Sequence, residues 1–168
     1  MPTLDLKNPE KFIPRDLFAA FVGPGSDDLL AYYDKAQEKG KPVVASFNLL
    51  ALLLLPAWLG LRRLWAIWAV YTGLVALLHV VEYVLKVDLP AGAFVGFGVA
   101  LGFMARGLLL TDANARYLKL KRQKLDSDAI RRALDGRARS SVPLAVAAGL
   151  GSVGVIVALG YLVDVGFK

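Results

Sequence analysis

Polar and apolar positions divide this chain into blocks. Residues 1–42 are polar and mixed in charge, and four apolar runs follow at 43–61, 64–85, 91–111 and 142–163. Arg62-Arg63, the link at 86–90 and a basic stretch at 112–141 separate them. About 20 apolar residues at 1.5 Å rise each cross a hydrocarbon core of about 30 Å. Only helices satisfy their own backbone groups in such a short segment within lipid. The pattern therefore predicts an all-α integral membrane protein. Residues 1–42 form a cytoplasmic helical segment, 43–111 a membrane region, 112–141 a basic cytoplasmic helical segment and 142–168 a C-terminal transmembrane helix.

Within the polar segment, Asn8-Pro9 predicts the start of a helix over 9–21 that places Phe12, Leu17, Phe18 and Phe21 on one side. Gly23-Pro24-Gly25 ends it. Ser26 is the expected N-cap of a second helix over 27–39, with Asp27 and Asp28 in the first turn, where the helix dipole favours them. Leu29, Leu30, Tyr33 and Ala36 make its apolar side. Asp126-Ser127-Asp128 is expected to cap a further helix running to Gly136.

Composition sharpens this reading. Of 168 residues, 57% are apolar and none is cysteine, with a mean hydropathy of +0.53. Soluble domains hold roughly 45–50% apolar residues, and without thiols no disulfide or cysteine-held metal forms. The net charge of +6 then becomes a topology signal. With four full spans, Lys and Arg divide eight against twelve; if the first run enters and returns on the same side, eighteen lie inside and two outside. Cytoplasmic loops carry the excess of Lys and Arg. The expected architecture is thus three full transmembrane helices, the first two over 64–85 and 91–111, plus a re-entrant or tilted segment over 43–61, bent at Pro56. Trp58, Trp65, Trp68 and Tyr71 match an interfacial aromatic belt, and Arg106 lies within snorkelling reach of its helix end.

Candidate chemistry is sparse. His79 and Glu82 stand at i and i+3 near the end of the second run, and with Asn48 they form the candidate intramembrane polar site. An imidazole there can ligate haem or a pigment, and His with Glu can relay protons. The plainer alternative is a polar pair hydrogen-bonded at the interface, with no cofactor. Gly149-Leu-Gly151-Ser-Val-Gly154 matches a dinucleotide fingerprint, but it lies in an apolar run with no strand–turn–helix context. Helix packing is the better use for such glycines. Gly92 with Gly96, Gly98 with Gly102 and Ala147 with Gly151 place small residues four apart, which lets helices of this chain or of other membrane proteins approach closely. Arg62, Arg63, Lys119, Lys121, Arg122 and Lys124 border apolar runs and suit the headgroups of anionic lipids, at about 1 kcal/mol each. No aromatic platform accompanies them, so nucleic acid is not an expected partner. No catalytic set appears, and an enzyme is not expected.

Several local patterns occur in order: Phe21-Val-Gly23-Pro24, Tyr32-Tyr33, Phe47-Asn48, Pro56 with Trp58, Arg62-Arg63-Leu64-Trp65, and Asn114-Ala-Arg-Tyr117. Over about 21–125 the chain resembles the bacterial inner-membrane family catalogued as domain of unknown function 2628. It departs where Leu55 replaces a glycine before Pro56 and Leu61 replaces an aromatic before Arg62. The resemblance implies a multi-pass protein of the bacterial inner membrane and brings no reaction, cofactor or partner. The expected role is a non-enzymatic accessory or assembly subunit of a larger membrane complex. The alternatives are a small homo-oligomeric transporter or channel using His79 and Glu82, and a pigment- or haem-binding subunit.

Overall fold

The computed structural model describes residues 12–46, 48, 49, 51, 54–86, 91–138 and 141–166, and among them every regular element is helical. In chain order these are α1 (Arg15–Val22), α2 (Asp27–Glu38), α3 (Leu55–Leu61), α4 (Trp65–Leu85), α5 (Ala91–Arg122), α6 (Ser127–Leu134) and α7 (Val142–Gly166). The chain divides into two compact units. Unit 1 joins Met1–Asn48 to Phe103–Ser140, and unit 2 joins Leu49–Gly102 to Ser141–Lys168.

Unit 1 has an aromatic core. Leu17, Phe18, Phe21 and Val22 line the buried side of α1, and Leu29, Tyr32, Tyr33 and Ala36 that of α2. Tyr32 takes the inward place expected for Leu30, which is only half-buried. The rings of Phe18 and Tyr33 stack at 5.2 Å, with Phe12 tilted 5.4 Å from Tyr33. Such pairs add about 0.5–1.5 kcal/mol beyond the area they bury. The first helix begins later than the sequence predicts. Pro14 occupies its N-cap, and a proline pushes the preceding residue, Ile13, out of the helical region. The expected cap at Asn8-Pro9 lies outside the described residues. Gly23 and Gly25 end α1 with φ of 78° and 71°, backbone that only glycine adopts freely. Ser26 stands at the N-cap position of α2 but makes no cap bond there. Its hydroxyl instead donates to the Val22 carbonyl at 3.3 Å, an open acceptor at the end of α1.

Helix α6 closes this unit against α1. Asp126 accepts from the Ala129 N–H at 2.6 Å, as its cap motif predicts, and Ile130 and Leu134 turn inward. Past the helix, Gly136 and Ala138 donate their N–H groups to the Ala20 and Phe21 carbonyls, each at 2.9 Å. Those bonds satisfy acceptors that the end of α1 leaves open.

The Ile13 peptide groups are held by side chains. Asn114, 1% exposed, accepts the Ile13 N–H at 2.8 Å, and the Tyr33 hydroxyl donates to the Ile13 carbonyl at 2.7 Å. Burial pushes the Tyr33 phenol up to about 12, with Asp34 and Asp16 adding to the rise and Arg15 and Gln37 opposing it. The folded pKa lies above the unfolded value of about 10. This contribution is therefore complete below pH of about 10 and is lost as pH rises through the folded value. We expect ultraviolet titration of the full chain to show a late-ionising phenol whose ionisation coincides with loss of unit 1 helicity. Tyr33→Phe should remove that phenol; a titration unchanged by it would overturn the assignment.

Unit 2 gathers α3, α4 and α7, with α3 laid chiefly on α7. The run at 43–61 is not one straight helix. Residues 43–46 are irregular, Leu49 and Ala51 are helical, and the helix is interrupted at Leu54 before α3 begins at Leu55, with Pro56 in its first turn. Arg62 and Arg63 form the turn into α4, Arg63 adopting φ of 57° while Leu64 donates back to the Leu59 carbonyl at 2.9 Å. Among the described residues, α4 is the one helix long and apolar enough to cross a membrane.

Helix α5 runs unbroken through the boundary expected at 111/112. The onset of charge there supplies no break. Thr111 bonds back to the Gly107 carbonyl at 2.8 Å, and Arg116 pairs with Asp112 one turn away at 2.8 Å. Arg and Lys are good helix formers, so a rise in charge alone does not end a helix.

Candidate functional site

The polar interior of unit 2 is built from residues inside apolar runs. Trp68 and Thr72 lie four apart on α4, and Ala148 and Ser152 four apart on α7, so each pair shares a face. The Trp68 Nε1–H donates to Ser152 Oγ at 3.0 Å and to the Ala148 carbonyl at 3.2 Å. Ser152 donates its one proton to the same carbonyl at 3.0 Å. Thr72, 3.2 Å from Ser152 Oγ, is then the donor of that contact. Three polar side chains thus satisfy one another across two helices.

Small residues permit this approach. A Cβ on Gly60 would meet the Ala148 Cβ and sit 2.5 Å from the Leu144 carbonyl oxygen. One on Gly151 would lie 3.5 Å from the Trp68 ring. Of the expected packing residues, Ala147 is exposed and Gly102 buried, and a Cβ on Gly96 or Gly98 would meet nothing within 4 Å. The surroundings of Gly92 lie outside the described residues.

Between α3, α4 and α7 lies a half-open cleft of about 300 Å³, with Thr72 and Ser152 in its lining. The surface around it reverses the usual order of burial. Thr72 is the buried residue of α4, while Val70, Leu77 and Val84 are 72%, 56% and 62% exposed. Along α7, Val142, Val146, Leu150, Val153, Val157 and Tyr161 also face outward.

His79 and Glu82 are both half-buried on α4. The His79 Nδ1 lies 2.9 Å from the Val75 carbonyl, which makes Nδ1 the protonated nitrogen. Asn48, half-buried, belongs to unit 1. The described residues contain no group of three or more His, Asp or Glu placed to hold a metal ion.

In unit 1 a second polar cluster fixes the strip after α2. The Tyr32 hydroxyl accepts the Val44 N–H at 2.8 Å and lies 3.1 Å from the carbonyls of Pro42 and Val44. Burial raises its pKa, against the Val44 bond and the nearby Arg106 charge. Arg106 pairs with Asp28 at 3.0 Å; the position expected to snorkel holds an ion pair. A Cβ on Gly107 would stand 2.9 Å from the Tyr32 oxygen and 3.0 Å from the Val43 Cα, so glycine is required there.

The basic residues fall into two groups. Lys119, Lys121, Arg122 and Lys124 are exposed, as are Arg131, Arg132 and Arg137 beyond them, with Lys121 5.9 Å above the Tyr117 ring. Arg63 is exposed, but Arg62 is only 9% exposed. The spacing of polar residues within apolar runs was the available signal for Trp68, Thr72 and Ser152. Nothing local marks Gly60 or Gly107.

A comparison with protein families matches residues 27–122 to one described as a protein of unknown function, DUF2628. The match extends from α2 to the end of α5. No curated protein and no solved structure matches the chain.

Proposed function

The chain belongs to the DUF2628 family, and on that premise we propose that it is a multi-pass inner-membrane protein, a non-enzymatic accessory or assembly subunit of a larger membrane complex. The observation that carries this reading is the reversed burial of α4, which turns Thr72 inward and Val70, Leu77 and Val84 outward. Water penalises that arrangement by about 25 cal/mol per Å² of exposed apolar area. Hydrocarbon does not, and it rewards pairing the polar groups inside. Three spans remain the architecture we favour, and the break before Leu55 supports the re-entrant or tilted segment at 43–61. The exposed lysines and arginines of α5 and α6 then meet anionic headgroups, each worth about 1 kcal/mol near the surface.

Two measurements test this. Single cysteines replacing Lys41, Arg63, Lys86 and Lys168 in the full chain are exposed to an impermeant thiol reagent in intact cells. We expect labelling at 86 and 168 only; labelling at 41 would overturn the topology. Gentle solubilisation of the tagged chain should recover a membrane protein partner in fixed stoichiometry. Recovery solely as a monodisperse homo-oligomer would overturn the accessory role.

A further inference from the structure

We propose that the cleft of unit 2 holds one acyl chain of a bilayer phospholipid, an inference that rests on the membrane reading above. Leu54, Pro56, Ala57, Val75, Val153 and Ile156 line it, together with Tyr71 beside Thr72 and Ser152. Gly149 lends it depth, because a Cβ there would have only the Ala57 methyl, 3.7 Å away, as a neighbour. Leu54 and Val153 remain 54% and 59% exposed, so the cleft opens onto the surface of the unit.

The hydrogen bonds determine what fits. Ser152 has spent its proton on the Ala148 carbonyl, Thr72 its own on Ser152, and the Trp68 N–H is shared between those two acceptors. Thr72 and Ser152 therefore offer an occupant no donor, and apart from the Tyr71 hydroxyl the rest of the lining is apolar. A ligand with a buried carbonyl or other acceptor in its head would lose hydrogen bonds on entry, at a cost of about 1–3 kcal/mol per group. A hydrocarbon chain loses none and fills the space with dispersion contacts. Size agrees with this selection. At about 300 Å³ the cleft stands at the small end of ligand sites, roughly 300–1,000 Å³, suited to one chain rather than a macrocycle. In a bilayer no water competes for such a space, and the adjoining outward valines already face acyl chains. The site therefore selects the chain and leaves the headgroup unread.

Native mass spectrometry of the full-length protein tests this, with dioleoyl phosphatidylglycerol and dioleoyl phosphatidylcholine added in turn as probes. One retained lipid is expected, equally for either headgroup. Gly149→Leu fills the cleft from its floor, and Val153→Trp covers it from the rim, where the side chain is 59% exposed. Each should reduce retention by at least about tenfold, a difference of about 1.4 kcal/mol, whereas Gly149→Ala should keep the lipid. Should Gly149→Leu not fold, Val153→Trp decides alone. Undiminished retention by a folded cleft-filled variant overturns the proposal, as does retention with only one of the two headgroups. Flotation of the same protein with phosphatidylcholine vesicles separates the failures. A protein that floats but retains no lipid loses the cleft site alone, and one that does not float loses the membrane reading and the cleft site together.

Discussion

Gly60→Leu is expected to abolish the cooperative unfolding transition of unit 2, with a destabilisation above about 4 kcal/mol, the range reserved for severe packing failures. The reason lies in α7. Even the first atom of a side chain at 60 would meet the Ala148 Cβ and stand 2.5 Å from the Leu144 carbonyl oxygen. That oxygen belongs to the helix backbone and has no rotamer to yield, so relief requires forcing α3 and α7 apart along the contact that holds α3 in the unit. Gly60→Ala should already cost about 1–3 kcal/mol, as overpacking does. Gly73→Ala supplies the opposite sign, because a Cβ there meets nothing within 4 Å. Removing a glycine from a helix interior stabilises by about 0.5–1 kcal/mol. All three tryptophans, Trp58, Trp65 and Trp68, belong to unit 2, so their emission during heating in mild detergent reports this unit selectively. Equal midpoints for Gly60→Ala and Gly73→Ala would overturn the packing argument.

The glycines show where sequence reading succeeds and where it stops. Gly23-Pro24-Gly25 marks a break because its chemistry is local, a positive φ beside a residue without an N–H. The Asp126 cap and the Pro56 interruption are legible for the same reason. Spacing alone selected Gly92, Gly96, Gly98 and Gly102, yet spacing says only that small residues share a face. It does not say what opposes that face. Gly60 meets residues more than eighty positions away, a juxtaposition created by the fold and invisible in any local window. Thr72 and Ser152 are an intermediate case. Each stands four residues from its helix-mate in the bond network, a readable pattern, but only the packing of α7 on α4 reveals the pairing. Charge misled at 111/112, where the expected boundary follows polarity and the helix does not. Of the candidate polar residues, His79 and Glu82 were conspicuous by rarity, while the bonded trio was hidden among apolar neighbours.

Unit 1 depends on a single residue's peptide groups in a way that a double-mutant cycle can measure. Asn114→Leu leaves the Ile13 N–H buried without its acceptor, and Tyr33→Phe leaves the Ile13 carbonyl without its donor. Ile13 is fully buried, so water cannot replace either partner in place. Each change is expected to destabilise unit 1 by about 1–3 kcal/mol. The two effects are not independent. Once either bond is lost, the segment carrying Phe12 and Ile13 can lift away and rehydrate both groups, leaving less for the second substitution to remove. The double variant should therefore lose less than the sum, with a coupling of about 0.5–3 kcal/mol. Asn114→Leu with Gln37→Ala is the contrasting pair. Gln37 donates its Nε2–H to the Tyr33 hydroxyl at 2.9 Å and does not bond Ile13, so smaller coupling is expected. Protection of the Ile13 amide from hydrogen exchange gives the local readout, and it should fall in Asn114→Leu before the tryptophan signal of unit 2 changes. Strict additivity of Asn114→Leu and Tyr33→Phe would show that the two side chains do not hold one common segment.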